Sequence, residues 1–161
     1  MKIVLSFLGI LMLMTTTIVR AIEMPNTVTI DTLSQTLAIK AVTVAVDDCT
    51  KKGYKVSASI VGRDGNLLAF LRNPLSGPHT IEVSQRKAFT SASLQAPTSA
   101  MGSRPDLNYA PGILLIVGGV PINVGGKFYG GLAVAGAEPD IDEECAMAGV
   151  AAITEIIEFG E

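Results

Sequence analysis

The segment Val56-Ser57-Ala58-Ser59-Ile60-Val61-Gly62-Arg63-Asp64-Gly65-Asn66-Leu67-Leu68-Ala69-Phe70-Leu71 reads as a strand, a tight turn and a returning strand. Apolar residues flank Arg63-Asp64-Gly65-Asn66, and Asp-Gly is the short-range signal for a hairpin turn. Strands joined by so short a turn run antiparallel. Upstream, Leu33, Leu37, Ala41, Val44 and Asp48 follow helical spacing, with Ala38, Ala45 and Cys49 beside them. They predict a helix over Thr32 to Lys52, capped by Asp31 or Thr32 and ended by Gly53 after two lysines that suit the negative end of its dipole.

Downstream, Asn73 to Pro78 is a loop. A second helix is predicted over Thr80 to Ser93, with Thr80 as N-cap and Pro97 as its stop. Thr98 to Leu107 reads as a short helix followed by loop. Three further strands are predicted: Ile113 to Val117, Ile122 to Val124 and Lys127 to Ala135. Gly118-Gly119-Val120-Pro121 separates the first two, and Gly125-Gly126 turns between the last two. Gly130-Gly131 inside a strand predicts a bulge or the close approach of another backbone. A final helix is predicted over Asp142 to Phe159, with Asp142, Glu143 and Glu144 favourable on a solvated face at its positive end. The expected class is α+β, a five-stranded antiparallel sheet flanked by helices.

The chain has 161 residues, enough for one domain. Lys2, the apolar run Ile3 to Met14 and Val19-Arg20-Ala21 have the layout of a secretory signal peptide over residues 1–21, leaving a single domain over 22–161. Its removal takes Lys2 and Arg20 and no acid, leaving ten basic residues against fifteen acidic ones, a balance of −5. No basic stripe exists for nucleic acid. The expected location is periplasmic or secreted. In such a compartment Cys49 and Cys145 read as a bridge between the first and last helices, the alternative being two small buried thiols. Two cysteines and one histidine do not make a standard structural zinc site.

The glycine-rich stretch 118–131 is not a nucleotide loop. Pro121 stands where a Walker loop needs its first glycine, Phe128 replaces the hydroxyl, and a strand follows where a dinucleotide fold needs a helix. No Gly-x-Ser-x-Gly elbow is present. Candidate chemistry concentrates in Gly77-Pro78-His79-Thr80 and the helix it opens. His79 is the only histidine in the sequence. A helix reaching back to His79 would place residues 79, 83, 86, 87 and 90 on one side. That side offers an imidazole, an apolar Val83, the cations Arg86 and Lys87, and a hydroxyl. A planar apolar ligand with carboxylates suits such a surface, and exposed N–H groups at the helix start would add anion affinity.

Several blocks then occur in a characteristic order. Leu67 to Arg72 leads into Gly77-Pro78-His79-Thr80, followed by Arg86-Lys87-Ala88-Phe89-Thr90-Ser91-Ala92 and Pro97-Thr98. Gly118-Gly119-Val120-Pro121-Ile122, Gly130 to Ala137 and Asp142-Glu143-Glu144-Cys145-Ala146 complete it. Over residues 28–158 this resembles the GlcG/HbpS-like family of haem-binding and haem-degrading proteins, itself similar to the C-terminal domain of PduO-type cobalamin adenosyltransferases. The resemblance implies a profilin-like fold, homo-oligomers and haem as cofactor. Some members bind or degrade haem, and others are accessory proteins of glycolate or diol metabolism. The family's second strand often ends in Arg-Met-Asp-Gly-Ala, where this chain has Arg72-Asn73-Pro74-Leu75-Ser76-Gly77.

The expectation is therefore an exported haem-binding protein, supporting oxidative haem degradation, uptake or sensing. His79 would be the iron ligand, Arg86 or Lys87 the propionate partner, and Thr80 the residue that positions the loop. The alternative is a non-enzymatic oligomeric module for another small ligand, corrinoid-like or a metabolite, or for a partner protein.

Overall fold

The computed structural model describes residues 25–160; the expected leader and its cut after Ala21 lie outside them. The elements in order are α1 (Gln35–Lys51), β1 (Ser57–Gly62), β2 (Leu67–Arg72), α2 (His79–Leu94), β3 (Gly119–Val124), β4 (Lys127–Ala135) and α3 (Pro139–Phe159). Two short 3-10 turns, Thr98–Met101 and Pro105–Tyr109, lie between α2 and β3. The strands are ordered β2-β1-β4-β3, and every neighbouring pair is antiparallel. Among the described residues no helix is long and apolar enough to cross a membrane.

The predicted α+β class and the 63–66 hairpin are present, but among the described residues the sheet has four strands rather than five. Ile113 to Val117 is not a strand, because its polar backbone turns to α2 instead. The Leu114 N–H donates to Thr90 Oγ1 at 2.8 Å, and the Ile113 carbonyl accepts from Arg86 at 2.9 Å. The predicted break is itself strand, since Gly119 opens β3 and Pro121 sits within it. Proline is tolerated there because β3 is an edge, where a missing N–H costs no ladder bond.

The two faces of the sheet are packed differently. On one, α1 contributes Ala38, Ala41, Val42 and Ala45, and α3 contributes Cys145, Ala146 and Ile153. They meet Ile60, Ile122, Leu132 and Val134 of the strands in the main core. Cys49 and Cys145 are bridged, with Cα atoms 5.6 Å apart, so the expected disulfide ties α1 to α3. Small residues alternate down the α1 stripe, which lets the two helices approach closely. The cap of α1 is Ser34, whose side chain accepts from the Leu37 N–H, and not Asp31 or Thr32. Asp31 instead pairs with Lys127 at 3.3 Å.

The other face carries Ser57, Ser59, Gly131 and Ala133, and α2 sinks onto it. A Cβ at Gly131 would stand 2.5 Å from the Ala88 carbonyl oxygen and 2.8 Å from the Ala92 nitrogen. The glycine pair in β4 thus marks a close backbone approach, as its mid-strand position predicts. Ser59 and Ser84 share a hydrogen bond of 2.8 Å across this interface, so polar side chains are satisfied where apolar bulk would not fit.

Candidate functional site

The helix α2 has an inner and an outer side. Thr80, Ser84, Lys87, Ala88, Ser91 and Ala92 are buried, and they recur at the helical period against the sheet. His79, Ile81 and Glu82 are exposed, and Gln85 and Arg86 are half-buried. Between this outer side and the β1–β2 hairpin runs an open groove with a cavity volume of about 240 Å³. Its apolar floor is Val61, Leu67 and Phe89, and its polar rim is Glu82, Gln85 and Arg86. The β1–β2 register slips by one residue between Ile60 and Val61, which leaves Leu67 opposite Val61 on the groove side.

The sequence-predicted site residues separate in space. Arg86 remains on the groove rim. One Nη donates to the Ile113 carbonyl at 2.9 Å, and the other lies 3.7 Å from the Glu82 carboxylate. Lys87 does not join it. One residue on means about 100° around the helix, which turns Lys87 into the protein. It is 1% exposed, pairs with Asp142 at 2.8 Å and donates to the Val134 carbonyl at 3.0 Å. The shared basic face is therefore reduced to Arg86. Burial pushes the Lys87 ammonium below its ordinary range, against the attraction of Asp142. Burial likewise pushes the Asp142 carboxyl up, opposed by Lys87. Asp142 was expected on a solvated face, but it is 2% exposed and also accepts from the Ala137 N–H at 3.0 Å.

Thr80 is likewise inside, at 1% exposure, and it is not the N-cap; Pro78 holds that position. Its hydroxyl donates to the Gly77 carbonyl at 2.7 Å and lies 2.7 Å from Ser57 Oγ and 3.1 Å from Ser76 Oγ. Thr80 thus ties the loop down without reaching the groove. The first turn of α2 is also less open to anions than expected. The N–H groups of Thr80 and Ile81 already donate to the carbonyls of Gly77 and Pro78, at 3.1 and 3.3 Å.

His79 stands exposed at the first position of α2, seven residues and about 10 Å along the axis from Arg86. The Nδ1–Cε1 edge of its ring faces Gly77. Arg72 was not singled out by its sequence context. It bonds the Ser76 carbonyl through one Nη, and its buried Nε has no partner among the described residues. Among the described residues, no group of three or more His, Cys, Asp or Glu side chains converges as a metal site would require.

The family model of haem-degrading HbpS-like proteins matches residues 33–151. A crystal structure of HbpS is 37% identical, with a TM-score of 0.76 over 83% of this chain and 99% of that one. A double mutant of HbpS from Streptomyces reticuli gives the same identity and TM-score, over 83% of this chain and 95% of that one. The PduO C-terminal domain, solved as a haem complex, is 22% identical with a TM-score of 0.71, over 76% and 96%, and shares the fold. No curated protein is a significant match to the chain.

Proposed function

The chain belongs to the HbpS-like family of haem-degrading proteins, and from that premise we propose that it binds haem along the outer side of α2. The observation that carries this reading is the groove beside α2, with an apolar floor and a single cation at its rim. Phe89, Leu67 and Val61 offer an apolar surface to a flat ring. Arg86 offers a guanidinium to a propionate. His79, about 10 Å away along the helix, offers Nε2 as an iron ligand. Haem, when bound, supplies the iron-centred redox chemistry.

These residues fit the group in one respect and restrict it in another. The cavity is smaller than the roughly 300–1,000 Å³ of pockets that enclose a ligand. A haem would therefore lie in the groove with its far side in solvent. The same volume favours a second reading, a smaller carboxylate-bearing ligand held by Arg86 with Gln85.

Export to a periplasmic or extracellular location belongs to the proposal. It is supported by the leader-like residues 1–21 and by a disulfide suited to an oxidising compartment. A homo-oligomer belongs to it as well. Among the described residues β2 is an unpaired sheet edge bearing the exposed Leu67 and Leu71, and Leu75 beyond it is 77% exposed.

Equilibrium titration of the purified protein with haemin tests the groove. Arg86→Leu should weaken binding about tenfold, the lower end for a charge-assisted bond, because the side chain is partly solvated. An unchanged affinity in that variant would move the propionate contact elsewhere. A wild type that takes up no haemin would favour the smaller ligand.

A further inference from the structure

We infer that Gly77 is a positioning residue for His79: its missing side chain leaves the seat on which the imidazole lies, and buried hydroxyls hold that seat in place. The inference rests on the haem reading for its functional consequence and on geometry for the seat itself.

A Cβ built at Gly77 would stand 2.7 Å from His79 Cε1, 2.8 Å from Nδ1 and 3.9 Å from Nε2. These are the three nearest heavy atoms, so a methyl group there would meet the imidazole before anything else. The ring rests its Nδ1–Cε1 edge on the glycine, and Nε2 is the nitrogen held away from it. Gly77 is not among the glycines with positive φ. With no positive φ to require glycine, the crowding a side chain would meet here comes from the imidazole, and the exposed ring is the group that would move.

The seat is held from below. Ser57, Ser76 and Thr80 are 0%, 4% and 1% exposed, and their hydroxyl oxygens lie 2.7, 3.1 and 3.3 Å apart in a closed cluster. Thr80 Oγ1 donates to the Gly77 carbonyl, and Arg72 bonds the Ser76 carbonyl. The Ser76 N–H donates to the Asn73 carbonyl at 2.9 Å, and the Leu75 N–H to Asn73 Oδ1 at 3.0 Å. Both residues that precede Pro78 are therefore fixed through side chains of β1, β2 and α2. The backbone that carries the exposed imidazole is thus fixed before any ligand arrives, which narrows the positions its donor atom can take.

The test uses the full mature protein and begins without haemin. Long-range proton–nitrogen NMR of the single histidine reads the ring directly. In Gly77→Ala the imidazole resonances should move and the contact between Hε1 and residue 77 should change, while the urea midpoint stays close to wild type. Haemin affinity should then fall about three- to tenfold, the scale of an off-rotamer side chain. That fall should vanish in a His79→Ala background, because the two positions act through one ring. Unmoved ring resonances in Gly77→Ala would overturn the seat. A moved ring with unchanged haemin affinity, in a protein whose binding depends on His79, would overturn the positioning role. Haemin binding that ignores His79 in the wild type would sink the haem ligand assignment instead, and the NMR comparison would still decide the seat.

Discussion

Replacing Lys87 with methionine should destabilise the protein by about 3–5 kcal/mol, the range for removing one partner of a buried ion pair. The side chains of Lys87 and Asp142 are only 2% and 3% exposed. Without the ammonium, the Asp142 carboxylate loses its countercharge in a place where water cannot replace it. Methionine fills much of the same volume, so the loss is electrostatic rather than a cavity. Urea unfolding of wild type and variant gives the difference directly. Lys87→Met combined with Asp142→Asn should recover most of it, since no charge is then buried and the amide oxygen still accepts from Ala137. A single variant within 1 kcal/mol of wild type, on the ~1 kcal/mol scale of exposed pairs, would mean that the pair is solvated. The pair also joins α2 on one face of the sheet to α3 on the other. It should therefore act on global unfolding and not on the groove alone.

Replacing both Cys49 and Cys145 with alanine should cost about 4–5 kcal/mol. The bridge closes a separation of 96 residues, and the loss of unfolded-state entropy grows with the logarithm of the loop. Both residues are 0% exposed, so small apolar replacements keep the α1–α3 contact dry. The slope of the urea transition should rise, because an uncrosslinked unfolded chain exposes more surface. A cost below about 2 kcal/mol would show that the α1–α3 core holds the chain nearly as well without the link. In a domain whose main core is largely alanine and valine, the bridge supplies what bulkier packing would otherwise provide.

Local signals were legible where local chemistry decides the structure. Asp64-Gly65 marked the first hairpin, Gly125-Gly126 the second, and Gly130-Gly131 the close approach of α2. The single pair of cysteines left a bridge and two buried thiols both open, and the contact of α1 with α3 decides for the bridge. What failed depends on partners distant in the chain. Ile113 to Val117 has the composition of a strand, yet Thr90 and Arg86 take its backbone bonds. Asp142 sits in an acidic run that suits a helix start, and nothing beside it reveals that Lys87, 55 residues earlier, reaches it. The candidate groove is legible only in part. Arg86 keeps its place on the outer side of α2, while Lys87 and Thr80 turn inward because helical spacing separates neighbours by about 100°. Phe89, Leu67 and Gln85 complete the groove only once the hairpin folds beside the helix, so no contiguous motif announces them.

The most direct measurement is the absorption spectrum of the mature protein on titration with haemin, wild type beside His79→Ala. A stoichiometric shift of the Soret band in the wild type, changed in position and weakened in affinity by the substitution, is the expected result. A superimposable titration in the two proteins would contradict iron ligation by His79, and no shift in either would contradict haem binding by the groove.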